Sequence, residues 1–488
     1  MPNLKFVKSL KMYIQMKDVA WLKKDIVAPN KREFFFLIFL IMLPNIFFLA
    51  VAIYTSTARP LFNLDYLIAL LIILLPYKIM RVLGSIILVL AILFDVLMFV
   101  VQIFPFMDLA AVRYLFSFIS IAPTNYIVML MTGLIVALCI VGLTLCLSKR
   151  IKQPYPTFIL FSLIMIAYVF MTLGISYTRF YGILGRDNYY IAHSQNRLYY
   201  EITNSDFWSD ASIVPKLEKL KNEQMHAASK LKQPYASKVL YIVAESWGEL
   251  RDVDAQKSIM QNIFKQKENL EFINDGSFHT SGATVAGELR ELCGLDLMNN
   301  GFAFKQLDKN QFSDCLPEKL KQQGYQTVAL HGTSGLLYDR VDWYYKAGFQ
   351  QTLFGENFMN LRRCTPFKGV CDSELMNIVA QNFEHYSQKK LFLYWMTLTS
   401  HQPYAKQDIY NHRFDCASFN MNLKGDACHN AQLETQFFDD LAQLIQKPEM
   451  NGVEVVVVGD HQPPMWGDEI NHVHPLTVSY LHFKVKNN

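Results

Sequence analysis

The sequence predicts a two-part protein: an N-terminal helical membrane domain, then an α/β domain whose mostly parallel sheet carries helices on both faces. Three observations predict it. Apolar runs of spanning length crowd the first third of the chain. From Ser237 onward, strand-like and helix-like stretches alternate. Val455, Val456, Val457 and Val458 stand in a row, which suits a strand buried on both faces better than a half-exposed one.

The apolar runs fall at about 34–57, 61–77, 82–105, 123–147 and 157–175. A bilayer core needs roughly 17–25 apolar residues per helix, and all five runs qualify, the second narrowly. The first starts too late, and after too much charge, for a cleaved signal peptide. Lys23, Lys24, Lys31 and Arg32 precede the first run, Lys78 and Arg81 follow the second, and Lys149, Arg150 and Lys152 follow the fourth. The loops on the other side hold only Arg59 and Arg113. The positive-inside rule then puts the N-terminus in the cytoplasm and, with five spans, everything after about residue 176 outside. The expected place is the bacterial inner membrane, with the second domain extracytoplasmic.

Residues 1–33 alternate lysines with Phe6, Leu10, Tyr13, Ile14, Trp21 and Leu22. They read as a basic amphipathic segment on the inner leaflet, or as a solvated arm. The membrane domain covers 34–176. Asp95 is an ionisable group at membrane depth and must face protein or water; it receives a lipid headgroup or joins an interhelical hydrogen bond. An aromatic-rich connector at 177–236, with Tyr189, Tyr190 and Trp208, suits the membrane boundary as short helices.

The formal charge of +4 is too small to argue for nucleic-acid binding. Cys139 and Cys146 lie within the fourth run as small apolar residues, whereas Cys293, Cys315, Cys364, Cys371, Cys416 and Cys428 all fall in the expected exterior domain. Such a distribution points to disulfides in an oxidising compartment. Sequence proximity favours Cys364–Cys371 and Cys416–Cys428 and leaves Cys293–Cys315; free thiols or a zinc cluster are the rival readings.

In the domain at 237–488, strands are expected at 238–244, 326–330, 391–398, 453–459 and 476–484, and helices at 284–293, 312–323, 372–386 and 429–446. Several strands end in a group able to bind a metal or move a proton: Glu245, His331, His401, and Asp460 with His461. In open α/β sheets, chemistry collects at the carboxyl ends of the strands. A buried Glu245 needs a partner, and a cation is the obvious one. Thr284 opens a helix after Ser281-Gly282-Ala283. There it serves as a cap, or meets an anion at the positive end of the helix dipole. A divalent cation beside it would lower the pKa of its hydroxyl and make it a nucleophile.

Ala244-Glu245-Ser246-Trp247-Gly248, Gly282-Ala283-Thr284-Val285-Ala286-Gly287-Glu288-Leu289 and Gly459-Asp460-His461, in that order, resemble the motifs of membrane-anchored sulfatase-fold transferases of the alkaline phosphatase superfamily. That group includes phosphoethanolamine transferases, lipoteichoic acid synthases and phosphoglycerol transferases. The resemblance implies a sulfatase-like catalytic domain in which Glu245, Thr284, Asp460 and His461 bind the metal and Thr284 is the nucleophile. His331-Gly332 with Tyr338 and Arg340 resembles the substrate-binding stretch of the lipoteichoic acid synthase branch. Thr399-Ser400-His401-Gln402-Pro403-Tyr404 resembles a histidine segment shared by both branches, and His472 or His474 stands where the family places a further active-site histidine. The cysteine-containing stretches look more like the phosphoethanolamine branch. Gly459-Asp460-His461-Gln462-Pro463-Pro464 departs from that branch's Ser-Asp-His-Gly-Glu. No Cys/Ser-x-Pro-x-Arg stands at the nucleophile, which argues against formylglycine-dependent sulfate ester hydrolysis.

The resemblance implies transfer of a phospholipid headgroup, phosphoethanolamine or glycerophosphate, through a phosphothreonine to a cell-surface glycan or lipid. His331, Tyr338, Arg340, His401 and His472 would meet the substrate, with His401 and His474 as proton carriers. The donor set suits Zn²⁺ or Mn²⁺ and Mg²⁺ less well; a second Zn²⁺ is a further expectation. The alternatives are a lipid phosphodiesterase of the same fold and a non-catalytic envelope protein.

Overall fold

The computed structural model describes residues 31–55, 61–103, 124–151, 154–173, 191–192, 214–221, 226–231, 234 and 236–487, apart from 281, 300 and 466. The chain divides into two compact units, Met1–Pro105 with Val128–Ser205, and Phe106–Ile127 with Asp206–Asn488. The expected amphipathic segment before Lys31 lies outside the described residues, as does most of the connector.

The apolar runs of the first third form helices α1 (Lys31–Thr55), α2 (Leu64–Ile73), α3 (Lys78–Ile103), α4 (Thr124–Ser148) and α5 (Tyr155–Leu173). Three stretches are long and apolar enough to cross a membrane: Lys31–Ala52, Lys78–Leu97 and Met131–Ser148. Leu64–Ile73 and Tyr155–Val169 are apolar but shorter. The five expected spans are thus met in length at three positions among the described residues. Asp95 is buried, and the Tyr66 hydroxyl donates to it across α2 and α3 at 2.7 Å, the interhelical arrangement.

The second unit is built on an eight-stranded sheet. Its strands are β1 (Lys238–Ala244), β2 (Gly248–Leu250), β3 (Leu270–His279), β4 (Gln326–His331), β5 (Gln351–Leu353), β6 (Leu391–Met396), β7 (Glu454–Gly459) and β8 (Val473–Val485). The order is β2-β8-β7-β1-β6-β4-β5, with β3 also on β8. The run from β7 to β5 is parallel. β8 is antiparallel to β7, β2 and β3, which makes the sheet mixed. Its main helices are α6 (Thr284–Cys293), α7 (Leu316–Gln322), α8 (Arg340–Lys346), α9 (Asp372–His385) and α10 (Asp426–Leu444).

Both faces of the sheet are covered. On β1, Leu240, Ile242 and Ala244 join one apolar cluster while Val239, Tyr241 and Val243 join the other, as the two-residue period of a strand requires. The four central valines of β7 are wholly buried. β2, β3 and β5 were not among the expected strands. β3 reads Leu-Glu-Phe-Ile-Asn-Asp-Gly-Ser-Phe-His, and only Leu270 in it is fully buried, so it lacks the apolar run by which buried strands are recognised.

Where it is described, the segment before 237 holds one short helix, Ala227–Leu231, of the kind expected, together with extended chain. Leu217–Lys219 is a strand antiparallel to Leu295–Leu297, and the backbone N–H groups of Ala227 and Ala228 donate to Glu291. The three disulfides are Cys293–Cys315, Cys364–Cys371 and Cys416–Cys428, the pairing that proximity favours.

Candidate metal centre and nucleophile

Parallel pairing sets the geometry of the site. Gly459 is opposite Ala244, and Met396 is opposite both Val243 and His331. The residues that follow β7, β1 and β6, and the last residue of β4, therefore emerge side by side on one edge. Backbone contacts continue past the strands: Asp460 N–H donates to the Ala244 carbonyl at 3.2 Å, and Glu245 N–H to the Thr397 hydroxyl at 2.8 Å. Ser246 then turns with φ 58°, a left-handed conformation uncommon for residues other than glycine. That turn aims its N–H at Asp460 Oδ1 at 2.7 Å, and its hydroxyl donates to Glu245 Oε1 at 2.9 Å.

Glu245, Asp460 and His461 each offer a ligand atom, all within 4.8 Å of one another, and all three residues are buried. His461 Nε2 is 3.3 Å from Asp460 Oδ2 and 3.5 Å from Glu245 Oε1. The Thr284 hydroxyl donates to Glu245 Oε2 at 3.3 Å and lies 3.4 Å from His461 Nε2. Thr284 is the first residue of α6, and the Ala283 before it contributes no side-chain cap. Its position at the start of the helix leaves first-turn N–H groups and the positive dipole end facing the same point. The four residues expected to act together do meet.

Three features fit this cluster to a divalent cation. Asp460 Oδ2 is buried and has no hydrogen-bond partner among the described residues, while Oδ1 is occupied by the N–H groups of Ser246 and His461. Such an orphaned acceptor is costly unless something binds it. His461 Nδ1 contacts the Gln462 carbonyl at 2.9 Å, which fixes the proton on Nδ1 and leaves Nε2 for a cation. The donors, two carboxylates, an imidazole and a hydroxyl, match the mixed oxygen and nitrogen sets that hold Zn²⁺ or Mn²⁺. Burial raises the carboxyl of Asp460 to about 7, helped by the neighbouring Glu245 charge, and burial raises Glu245 too. Burial alone would lower His461, but Asp460 and Glu245 outweigh it and raise the imidazole.

His331 and His401 share the orientation of His461. His331 Nδ1 contacts the Met396 carbonyl at 2.9 Å, and His401 Nδ1 the Gln402 carbonyl at 2.5 Å, so each leaves Nε2 as the acceptor. Burial lowers both, His401 to about 4. Both are therefore neutral near pH 7 and enter chemistry as proton acceptors first. His401 is close enough to feel the charges of His461 and Asp460. Tyr338 is half-buried within electrostatic range of Glu245 and Asp460, with its hydroxyl raised by desolvation. Half-buried His472 and His474 border and open β8, and neither side chain hydrogen-bonds to the cluster among the described residues.

Arg340, expected to meet the substrate, is paired with a carboxylate of this chain. Its Nε and Nη2 both donate to Glu288, at 3.0 and 2.8 Å to Oε2, in a fully buried pair. The hydroxyls of Tyr344 and Tyr394 donate to the other Glu288 oxygen. The two-pronged edge of the guanidinium is spent on Glu288, and Nη1 donates to the Leu337 carbonyl at 3.5 Å.

Sequence reasoning missed three buried groups around the centre. Glu288 and Arg290 lie on α6 beside the recognised Thr284, where they look like ordinary surface charges of an amphipathic helix. Glu434, on α10, lies within electrostatic range of Asp460, Asp372 and Glu245. Its carboxyl oxygens are buried without a hydrogen-bond partner among the described residues. Ser400 is beside it but gives its single hydroxyl proton to the Glu245 carbonyl at 2.6 Å. Only the glycines offered a signal. Gly287 in the helix and Gly459 before Asp460 stand where the backbones approach too closely for a Cβ.

No curated protein matches the chain. Among solved structures it is similar to the phosphoglycerol transferase GacH of Streptococcus pyogenes, solved with sn-glycerol-1-phosphate, at 18% identity over 56% of this chain and 79% of that one, TM-score 0.40. It is similar to the lipoteichoic acid synthase LtaP of Listeria monocytogenes at 14% identity over 51% and 65%, TM-score 0.39. A Vibrio parahaemolyticus protein of the alkaline phosphatase superfamily gives 20% identity over 52% and 61%, TM-score 0.39. The chain thus spans 61% and 65% of the length of the latter and of LtaP. The family model for sulfatases matches residues 237–475, so this domain of the chain is sulfatase-like.

Proposed function

We propose that the chain is a membrane-anchored transferase that moves a substituted phosphate group from a phospholipid to an acceptor hydroxyl on a cell-surface glycan or lipid. The observation that carries the reading is the position of the Thr284 hydroxyl, 3.3 Å from Glu245 and 3.4 Å from His461, at the start of a helix. Glu245, Asp460 and His461 would hold a divalent cation, with Thr284 completing the set. When bound, the cation lowers the pKa of a neighbouring hydroxyl and neutralises phosphoryl charge.

The steps on the protein are two displacements. Thr284 Oγ1 bonds to phosphorus, the bond from phosphorus to the diacylglycerol oxygen breaks, and the threonine proton leaves to a nearby acceptor. The diacylglycerol oxygen takes up a proton, and a phosphothreonine carrying the headgroup remains. An acceptor hydroxyl then bonds to phosphorus and gives up its proton, while the bond to Thr284 breaks and its oxygen is reprotonated. His401, neutral with Nε2 open, suits removal of a proton from the acceptor, an effect worth about 10²–10⁴ in rate. His331, Tyr338, Arg340 and His472 are assigned to the substrate, and His474 is a second proton carrier.

A lipid donor does not readily leave its bilayer, so apolar helices on the same chain keep the site at the surface. The reading places those helices in a bacterial inner membrane as five spans, with the sulfatase-like domain outside. It leaves phosphoethanolamine and glycerophosphate as the two headgroups of interest.

Intact-mass measurement of the purified protein incubated with phospholipid vesicles tests the proposal. A mass increment equal to the headgroup phosphate, mapped to Thr284 and absent in Thr284→Ala, is the expected result and names the group transferred. Turnover with no adduct and full activity in Thr284→Ala would overturn it. Release of free headgroup phosphate regardless of glycan would instead make water the acceptor.

A further inference from the structure

Arg290 lies on α6, the helix that Thr284 begins, and is buried. Its guanidinium spends four hydrogen bonds on fixed partners. Nη2 donates to the Gly459 carbonyl at 2.8 Å, and Nη1 to the Asp460 carbonyl at 3.0 Å and the Thr280 hydroxyl at 2.7 Å. Nε donates to Glu291 Oε1 at 2.7 Å. The other Glu291 oxygen accepts from the Tyr241 hydroxyl and from the N–H groups of Ala227 and Ala228.

The carbonyls of Gly459 and Asp460 lie where β7 runs out. Buried carbonyls without a partner are costly. Arg290 supplies the donors and, in doing so, ties the helix of the nucleophile to the two peptides that orient Asp460 and His461.

Charge makes the choice of residue informative. A cation buried beside a cation-binding site works against it, unless it is neutralised. Glu291, in contact with Nε, provides that neutralisation. What Arg290 offers beyond charge is a rigid fork of five N–H donors; a lysine ammonium has three on a single atom. One atom does not satisfy two successive carbonyls, a hydroxyl and a carboxylate.

We propose that Arg290 is a positioning residue for the metal centre, setting the separation between Thr284 and the Asp460–His461 pair through its bonds to the Gly459 and Asp460 carbonyls. The inference rests on reading Glu245, Thr284, Asp460 and His461 as that centre. It assigns Arg290 no contact with substrate.

The test uses the full chain in detergent, with Zn²⁺ and Mn²⁺ titrated calorimetrically and the melting temperature taken metal-free. Arg290→Lys keeps the charge and loses the fork. The double variant Arg290→Gln with Glu291→Gln removes both charges and so strands neither. Each is expected to bind either ion about 10–100-fold more weakly than the unaltered chain, the usual effect of removing support behind metal ligands. A structural role alone would lower the metal-free melting temperature and leave affinity intact in whichever variant folds. Affinity within twofold of the unaltered chain in either folded variant overturns the inference while the metal centre stands. Failure of both variants to fold also overturns a role confined to positioning. If the unaltered chain takes up neither ion, the metal reading falls and this inference with it.

Discussion

Gly287, in the first turn of the helix that Thr284 begins, lies so close to Asp460 that a Cβ there would be 2.8 Å from the Asp460 carbonyl oxygen and Cβ. The helix that Thr284 begins and the end of β7 are in backbone contact, and the missing side chain permits it. Gly287→Ala should push the two apart. The expected result is a stability loss of about 1–3 kcal/mol, as for overpacked sites. Headgroup transfer should fall at least about 10²-fold, because a displacement near 1 Å is costly to aligned chemistry. Urea unfolding and a turnover assay check the two parts separately.

Metal uptake should depend on pH through Asp460. Its carboxyl, raised by burial to about 7, is protonated in much of the metal-free chain at neutral pH, and a cation must displace that proton. Apparent affinity should rise up to about tenfold per pH unit below pH 7 and flatten above it. The sign for stability is opposite. A carboxyl raised in the folded state stabilises fully below its unfolded value near 4, and that contribution is lost as pH climbs to about 7. The metal-free chain should lose this part on going from pH 4 to 7, and saturating Mn²⁺ should more than restore it. Titration calorimetry in buffers of different ionisation enthalpy counts the protons released.

Glu434 provides a second pH test, on a carboxyl outside the proposed ligand set. Burial raises its carboxyl well above the ordinary range, and the charges of Asp460, Asp372 and Glu245 add to the effect. Its contribution is full at acid pH and lost as pH rises. Glu434→Gln is neutral at every pH and nearly the same shape. The variant should match the unaltered chain near pH 4 and be the more stable near pH 8, by a few degrees in melting temperature. Equal melting temperatures at both pH values would mean the carboxyl is stabilised by something not seen among its neighbours.

The Glu288–Arg340 pair should be intolerant of half-removal. Glu288 accepts from both prongs of Arg340 and from Tyr344 and Tyr394, with the ion pair sealed from water. Glu288→Ala leaves a buried guanidinium uncompensated, at a cost of about 3–5 kcal/mol. Glu288→Gln keeps the shape, so it should fold more readily while raising KM for the phospholipid, because Arg340 is no longer held in one orientation. Denaturant melts and steady-state kinetics on both variants decide this.

The cross-link Cys416–Cys428 should matter for folding rather than chemistry. It closes a separation of 12 residues at the start of α10. A loop of that length is worth about 3 kcal/mol in the chain-entropy account. Replacing both cysteines with serine should lower the melting temperature and leave the phosphothreonine increment detectable in the folded fraction by mass spectrometry.

The sequence by itself determined the parts whose signal is local. Val455–Val458 announced a doubly buried strand because four successive apolar residues leave no face for water. Thr284 was placed at a helix start by the small residues before it, and the three cysteine pairs followed from proximity. β3 escaped because all its residues but Leu270 are exposed or only partly buried and carry no apolar run. Only the tertiary structure decided who partners whom. Arg340 pairs with Glu288; Arg290 crosses to Gly459 and Asp460; Glu434 lies within electrostatic range of Glu245. Those partners are far apart in the chain or on different elements, and a charged residue looks the same in sequence whether it faces water or a buried carbonyl. What separates the two cases is the register of parallel strands and the close approach at Gly287, and both exist only once the chain has folded.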